Sequence, residues 1–542
     1  MEADLGQFCR RVTLDLQAGD LNAALEKIVE FVIGVILLRT STARVFSAPE
    51  LDDLCLRIGA RESGPAALVP GDQREDHVVY LVTELARTGG HTRLLRDLIA
   101  ADGAKRQTIL ISNITKTTVM ADLISLFADS EVTIHMAPSG DLLGCLSWLQ
   151  MQLAEFRPCR TYILPHHFDA VLIAACQPDL VGRLIYIHNC DHALALGVHL
   201  PHTRHVDLHD KGFYHCRETE GLKENVLWPL VVADGPHRAE EPFLVSGHLT
   251  TCTSGGTEKF EATHCAEQVP YLFRYEDVVP LMLRASKGRH VHIGNLPDAM
   301  LDRIRDNISA ASIPDDRFVY LPFVANLWRA LLEHKVDVYV GSFPLGGGRA
   351  TVEAMGAGLP LIIHSNYRSH FLSVEFEVYE GAMIWREPDQ LAGFLSDLSP
   401  DKLADHAGRS RRHYEAHHRP ERLRAAMERA AQGAPSDLPP RPAYRPNLLQ
   451  AYLDERHAFW TFSGGGIIVS EQDVKHRQDE LSQLQGELSR LHDVQAKALV
   501  RLEKERRAEV ERVRQETTRE MLLRARARKL LRKVATRIGI VG

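Results

Sequence analysis

Three short stretches of this chain hold residues able to do chemistry. The first, residues 336–365 (VDVYVGSFPLGGGRATVEAMGAGLPLIIHS), runs from an apolar strand through a glycine-rich loop and a helix start to a second apolar strand. Gly346, Gly347 and Gly348 carry no side chains, so a ligand can come close to the backbone. A helix opening near Ala350 offers unpaired N–H groups and the positive end of its dipole, which suits a phosphate. Glu353, about one turn into that helix, is placed to accept hydrogen bonds from ribose hydroxyls. The second stretch, 250–260 (TTCTSGGTEKF), sets Gly255 and Gly256 between Ser254 and Thr257 and adds Lys259, a fixed cation suited to a phosphate. The third, 186–197 (YIHNCDHALALG), puts His188, Asp191 and His192 directly after an apolar strand. Histidine titrates near neutrality, and a neighbouring carboxylate orients the ring and raises its basicity. His192 is therefore the first candidate for a base or acceptor binder, Asp191 its orienter and His188 the second candidate. Each has a plainer rival: an ordinary βα turn, a surface lysine, a histidine capping a strand end. With 27 histidines in the chain, an isolated one says little.

The order strand, glycine loop, Glu-bearing helix, Gly-x-Pro and strand resembles the donor site of GT-B glycosyltransferases. There a Glu-Ala-Met-Ala-x-Gly-x-Pro-like run follows a glycine-rich turn, and the matching residues here are Glu353-Ala354-Met355-Gly356-Ala357-Gly358-Leu359-Pro360. The resemblance implies that Gly347, Gly348, Arg349, Ala350 and Thr351 contact a diphosphate and Glu353 the ribose. Lys259 is similar to a lysine found shortly after the same strand in the O-GlcNAc transferase group. The His-x-x-Asp-His-x-x-x-x-Gly run from His188 resembles one in bacterial enzymes of this architecture. Gly89, Gly90 and His91 resemble a Gly-Gly turn facing the cleft, with His91 toward the acceptor or the donor phosphates. A plain helix start with Thr92 as N-cap explains them too. One departure stands out: many retaining members carry a second Glu eight positions before the first, where this chain has Leu345. The motifs thus lie nearest the O-GlcNAc transferase and protein glucosyltransferase group, which is inverting, and family 4-like enzymes; stereochemistry stays open.

Other chemistries find less support. A Gly-x-Gly-x-x-Gly dinucleotide fingerprint is missing, as is an Asp-x-Asp metal motif. No zinc-ligand spacing supports the histidines, the weaker candidates His166-His167 included. No metal and no cofactor are expected, the nucleotide-sugar being a substrate and a UDP-sugar favoured. The nine cysteines are dispersed, without a Cys-x-x-Cys pair, which fits a reducing cytoplasm.

The elements that must position these residues read as α/β, two Rossmann-like domains with an N-terminal helical segment and a C-terminal coiled coil. A chain of 542 residues with 45% hydrophobic content is too long for one core. Residues 1–75 have helical spacing in Leu21, Ala24, Leu25, Ile28, Val29 and Val32. An N-terminal acceptor domain spans 76–238, with strands expected at 77–85, 108–112, 131–136, 161–164 and 184–188. A nucleotide-sugar domain spans 239–432, with strands at 249–253, 290–293, 318–321, 336–340 and 359–363. It closes with a helix over 409–427 that Pro420 kinks or interrupts. A Pro/Gly-rich linker fills 433–472.

Residues 473–542 read as a coiled coil with a basic tail. Leu481, Leu484, Leu488 and Leu491 alternate spacings of three and four, a seam that would dimerise the chain or dock a partner. From 521 on, Arg524, Arg526, Arg528, Lys529, Arg532, Lys533 and Arg537 appear with no acid among them, interleaved with leucines. Such a tail suits an anionic membrane surface, an acidic protein or bare solvent. The net charge of −7 argues against nucleic-acid binding by the whole chain. The N-terminus lacks the order of a signal peptide, and the apolar run at 31–38 is far short of the roughly 20 residues that span a bilayer. The expected location is the cytoplasm or the inner membrane face. The function these features imply is sugar transfer from a nucleotide-sugar to a glycan, lipid-linked or protein acceptor. A nucleotide-sugar 2-epimerase and a non-catalytic scaffold of the same fold are the alternatives.

Overall fold

The computed structural model describes residues 2–37, 41–63, 74–86, 89–128, 130–238, 242–260, 273–366 and 369–436. The expected coiled coil and basic tail lie outside the described residues. Two parallel sheets organise the rest. The first contains β1 (Arg74–Val82), β2 (Arg106–Ile111), β3 (Val132–Met136), β4 (Pro158–Leu164), β5 (Arg183–His188), β6 (Thr203–Asp207) and β7 (Val226–Leu227), in the order β3-β2-β1-β4-β5-β6-β7. The second contains β8 (Thr250–Ser254), β9 (Arg289–Ile293), β10 (Phe318–Leu321), β11 (Val338–Val340), β12 (Leu361–His364) and β13 (Met383–Trp385), in the order β10-β9-β8-β11-β12-β13. Both sheets therefore reverse direction after their first strand. That reversal opens a crevice at the carboxyl ends of β1/β4 and of β8/β11, where open sheets of this kind take ligands.

Residues 78–82 (VVYLV) are buried on both strand faces, the pattern of a parallel strand covered by helices on each side. One face of the first sheet is covered by the helices Glu2–Ala18, Leu21–Leu37 and Pro49–Ser63, whose Val12, Leu25, Ile28, Leu51 and Ile58 pack with Val79, Ile163 and Ile173. The apolar run at 31–38 thus largely falls in a packed helix. No helix among the described residues is long and apolar enough to cross a membrane. On the other face sits the helix Pro420–Ala431, whose Leu423, Ala426 and Met427 join Leu95 and Trp228.

Three strands and one helix cap differ from the sequence expectation. Strands β6, β7 and β13 are additional. In β6 the alternation is carried by His205 and Asp207, which are buried in a polar cluster, so hydrophobicity does not reveal it. Strands β7 and β13 are two and three residues long, below the length at which a period registers. The helical stretch over 409–427 is interrupted at Pro420, as expected: Pro400–His417 ends before it, and Pro420 opens a new helix at its first turn. Thr92 is no N-cap; its hydroxyl accepts from Ala86 N at 3.1 Å and donates to Ala86 O at 2.9 Å, while Gly89 holds the cap position at φ 134°.

Gly294 shows how tightly the second crevice is built. Its φ is +132°, and a Cβ there would stand 1.9 Å from Gly255 O, so the turn after β9 presses against the loop after β8. Gly294→Ala adds backbone strain and overpacking, with an expected loss of about 1–3 kcal/mol, read as a lower urea midpoint than wild type.

Burial pushes His290, His292 and His364 down to about 3, against an unfolded value of about 6.5. The unfolded chain takes up protons that these rings refuse, so their contribution is intact above pH 6.5. It is lost as pH falls through that window toward 3. Urea midpoints should therefore be lower at pH 5.0 than at pH 7.5. His364→Phe should shrink the difference, since His364 packs among Phe273, Phe343 and Trp385.

Candidate functional site

The two loops at the reversal point of the second sheet are bound to each other. Lys259, just after β8, donates from Nζ to Gly346 O at 3.0 Å, and Leu345 N donates to Lys259 O at 3.3 Å. Leu345, at the position of the missing Glu, thus serves through its backbone. The glycine loop leads into the helix Gly348–Gly356, whose N-cap Gly347 supplies no side-chain oxygen to its first N–H groups. Thr351 turns its hydroxyl back to Gly347 O at 2.9 Å. Gly346 is needed for space, because a Cβ there would meet Val374 Cγ1 at 2.9 Å. Gly255 leaves room for the Lys259 stem in the same way, a Cβ there lying 3.0 Å from Lys259 Cγ. Gly256 lies in the same turn.

Glu353 is nearly buried and already partnered. Arg93, from the helix Gly90–Asp102 beside the first sheet, donates to Glu353 Oε1 at 2.6 Å, and Trp328 N donates to Oε2 at 3.3 Å. Arg349, expected at a diphosphate, reaches Asp97 Oδ2 of that same helix at 2.5 Å and stands 3.8 Å from Glu353 Oε1. In this state, then, both residues bridge the sheets.

The sequence reading missed a second bridge. Glu377 Oε1 lies 3.0 Å from His209 Nδ1 and 3.0 Å from Lys211 Nζ, and Lys211 also donates to Ser373 O at 2.7 Å. His209 and Lys211 follow β6, the strand the pattern did not reveal. Burial opposes the charge on all three, but each is outweighed by its partners: Glu377 is held well below the carboxylate range, and His209 and Lys211 above their usual values. Glu377 Oε2 stands 2.9 Å from where a Cβ on Gly348 would lie, so this charge cluster abuts the start of the glycine-loop helix.

The residues after β5 separate by role. His188 is buried, with Nδ1 3.1 Å from Asp207 Oδ1, inside the fold. Asp191 Oδ2 is buried without a hydrogen-bond partner among the described residues. His192 is partly exposed, its ring 5.2 Å from that of His167 at 89°. Burial pushes His192 down to about 4; Lys259 and Lys211 add to that, and Asp191 opposes it. Its imidazole is therefore neutral at ordinary pH. Lys259, lowered by burial and by Lys211, is steadied by Glu258, Asp191 and Glu377. These couplings bring the loops of the two sheets into one electrostatic field. His91 stacks on His166 at 5.5 Å, and its Nδ1 lies 3.4 Å from Asn189 Nδ2, beside the same loop; Gly89 and Gly90 begin the helix that carries it. A separate cavity of about 710 Å³, lined by Asp102, Arg160, Arg183 and Arg424, opens at the amino ends of the first sheet, away from these groups.

No family model and no curated protein sequence matches the chain. Among solved structures, a glycosyltransferase from Rickettsia africae ESF-5 is similar over 66% of this chain and 99% of its own, at 11% identity and TM-score 0.50. The fold is GT-B. Anabaena HepE in complex with UDP and glucose (12% identity, 66% of this chain, 99% of that one, TM-score 0.48) is a further structural match. So is a mutant of Thermobaculum terrenum O-GlcNAc transferase (12% identity, 78% and 83%, TM-score 0.48).

Removing Arg93 leaves the Glu353 carboxylate buried with weaker company. Arg93→Ala is expected to lower stability by about 1–3 kcal/mol, measured by urea unfolding. Adding Glu353→Gln should recover part of that loss, because the uncompensated charge is gone.

Proposed function

We propose that the chain is a glycosyltransferase that moves a sugar from a nucleoside-diphosphate sugar, a UDP-sugar in the first instance, to an acceptor hydroxyl or amide. The observation that carries this reading is the junction of Lys259 with the glycine loop at the reversal point of the second sheet. A half-buried lysine, close-approach glycines and an uncapped helix N-terminus together suit a diphosphate, whose departure must be stabilised electrostatically. The match with a glycosyltransferase fold supports it, and HepE, similar in fold, was solved with UDP and glucose bound.

On this reading Lys259 and the backbone of Gly346, Gly347 and Gly348 neutralise the leaving diphosphate, with Ala350 and Thr351 in the turn that follows. Glu353 and Arg349 meet the donor ribose and phosphates once they are released from Arg93 and Asp97. His192, neutral, accepts the acceptor proton as the new glycosidic bond forms, and Asp191 orients it. His91 borders the acceptor side. His188 acts from behind, holding the loop in place. Acceptors of glycan, lipid-linked or protein type all meet the requirement of a nucleophilic hydroxyl or amide. Dimerisation through residues 473–542, and attachment of their basic end to an anionic membrane, belong to the same proposal.

The test is calorimetric titration with UDP, GDP, dTDP and CMP. Tight binding of one nucleoside diphosphate, weakened at least tenfold in Lys259→Ala, is expected; binding to none of them would refute the donor site. His192→Ala should leave nucleotide affinity within about threefold while lowering kcat by about 10²–10⁴. The wild-type acid limb should fall near pH 4 rather than 6.5, because activity requires the neutral ring.

A further inference from the structure

Behind the cleft, β5, β6 and the helix Asp210–Glu218 bring four metal-ligating side chains to one point. In the parallel pairing of the strands His188 stands beside Asp207, and Tyr186 beside His205. His205 and Asp207, two residues apart, share one face of β6. The helix that follows lays Cys216 over that face. His188 Nδ1 lies 3.1 Å from Asp207 Oδ1, His205 Nε2 lies 3.2 Å from the same oxygen, and Cys216 Sγ lies 3.4 Å from His188 Nδ1. The four donor atoms all fall within 4.8 Å of one another, and all four residues are buried.

We propose that His188, His205, Asp207 and Cys216 form a closed tetrahedral site for a divalent transition metal of the zinc class. With metal–nitrogen and metal–oxygen bonds of about 2.0–2.1 Å and a metal–sulfur bond of about 2.3 Å, the edges of such a tetrahedron are about 3.3–3.6 Å. Three of the six separations, at 3.1, 3.2 and 3.4 Å, sit within a few tenths of an ångström of those edges, and the rest fall under 4.8 Å. The donor set, two imidazoles, a thiol and a carboxylate, is one that zinc accepts.

Hydrogen bonding alone accounts for the cluster less well. His188 Nδ1 carries either a proton or a lone pair, so it serves Asp207 or the Cys216 thiol squarely, not both. Asp207 Oδ1 faces two imidazole nitrogens at once. A cation at the centre lets every one of these atoms act as a donor of electrons. The surroundings also suit a ligating carboxylate: Asn225 Nδ2 donates to Asp207 Oδ2 at 2.7 Å and to Phe213 O at 2.9 Å, which fixes the carboxylate with Oδ1 toward the cluster. The helix runs close over the carboxylate: a Cβ on Gly212 would lie 3.5 Å from Asp207 Oδ1.

Four protein ligands leave no open position, so the metal is structural. It would clamp the two strands whose carboxyl ends carry Asp191-His192 and His209-Lys211. The inference stands apart from the sugar-transfer reading, because it concerns what holds those loops and not what they bind.

The experiment is elemental analysis of the full chain purified without a histidine tag, with cobalt substitution as the second readout. About one equivalent of zinc per chain is expected. After chelation the melting temperature should fall, and zinc should restore it. Cobalt should give a tetrahedral d–d spectrum with a thiolate charge-transfer band, and Cys216→Ser should lose that band. If the purified chain holds no metal and zinc leaves the chelated protein's melting temperature unmoved, the cluster is a hydrogen-bonded network only. If a metal binds but the cobalt spectrum lacks the thiolate band in wild type or keeps it in Cys216→Ser, the site is elsewhere. Should Cys216→Ser fail to fold, the wild-type band and the zinc-dependent melting temperature decide alone.

Discussion

Taking a carboxylate such as Glu377 out of water costs several kcal/mol unless cations stand against it. Its side chain is 9% exposed, and the cations that answer it, His209 and Lys211, come from the other sheet. The neutralisation is therefore also the attachment: neither half keeps its buried charge satisfied alone. Glu353 with Arg93, and Arg349 with Asp97, repeat the same logic on the far side of the glycine loop. The start of the Gly348–Gly356 helix abuts the first of these clusters at Gly348 and contributes Arg349 and Glu353 to the second.

This arrangement gives the crevice two kinds of polar group. Some are committed to partners in the structure, as Glu353, Arg349 and Glu377 are. Others remain poised: Asp191 Oδ2 has no hydrogen-bond partner among the described residues, and His192 is neutral. On the sugar-transfer reading proposed above, an incoming diphosphate would compete for cations such as Arg349, which would link donor binding thermodynamically to the bridging contacts. Lys259 is the exception, since the hydrogen bond from its Nζ to Gly346 O already lies within the glycine loop. Its lowered pKa reflects burial beside another cation, a penalty that an anionic ligand would relieve.

Much of the fold was legible because the signals are local. Runs such as 78–82 and 361–363 are apolar over a strand's length, and the glycine loop with Glu353 and Gly358-Leu359-Pro360 lies within one continuous stretch. That Gly346, Gly347, Gly348 and Lys259 fall just beyond strand ends follows from the alternation of strands and helices. What stayed hidden was polar and buried. Strand β6 reads TRHVD, and its His205 and Asp207 break the apolar alternation for the very reason that they meet other polar groups inside.

By itself the sequence determined the two-sheet α/β architecture, the glycine loop and the residue types available for binding an anion. Tertiary structure decided which of those residues meet. That Glu353 faces Arg93, that Glu377 faces His209 and Lys211, and that His188 turns inward to Asp207 while His192 stays near the cleft depend on strand order and on how the sheets face each other. The physical reason is range. Periodicity and turn chemistry act over a few neighbouring residues, whereas parallel pairing sets His188 beside Asp207 across an intervening crossover that no local pattern records.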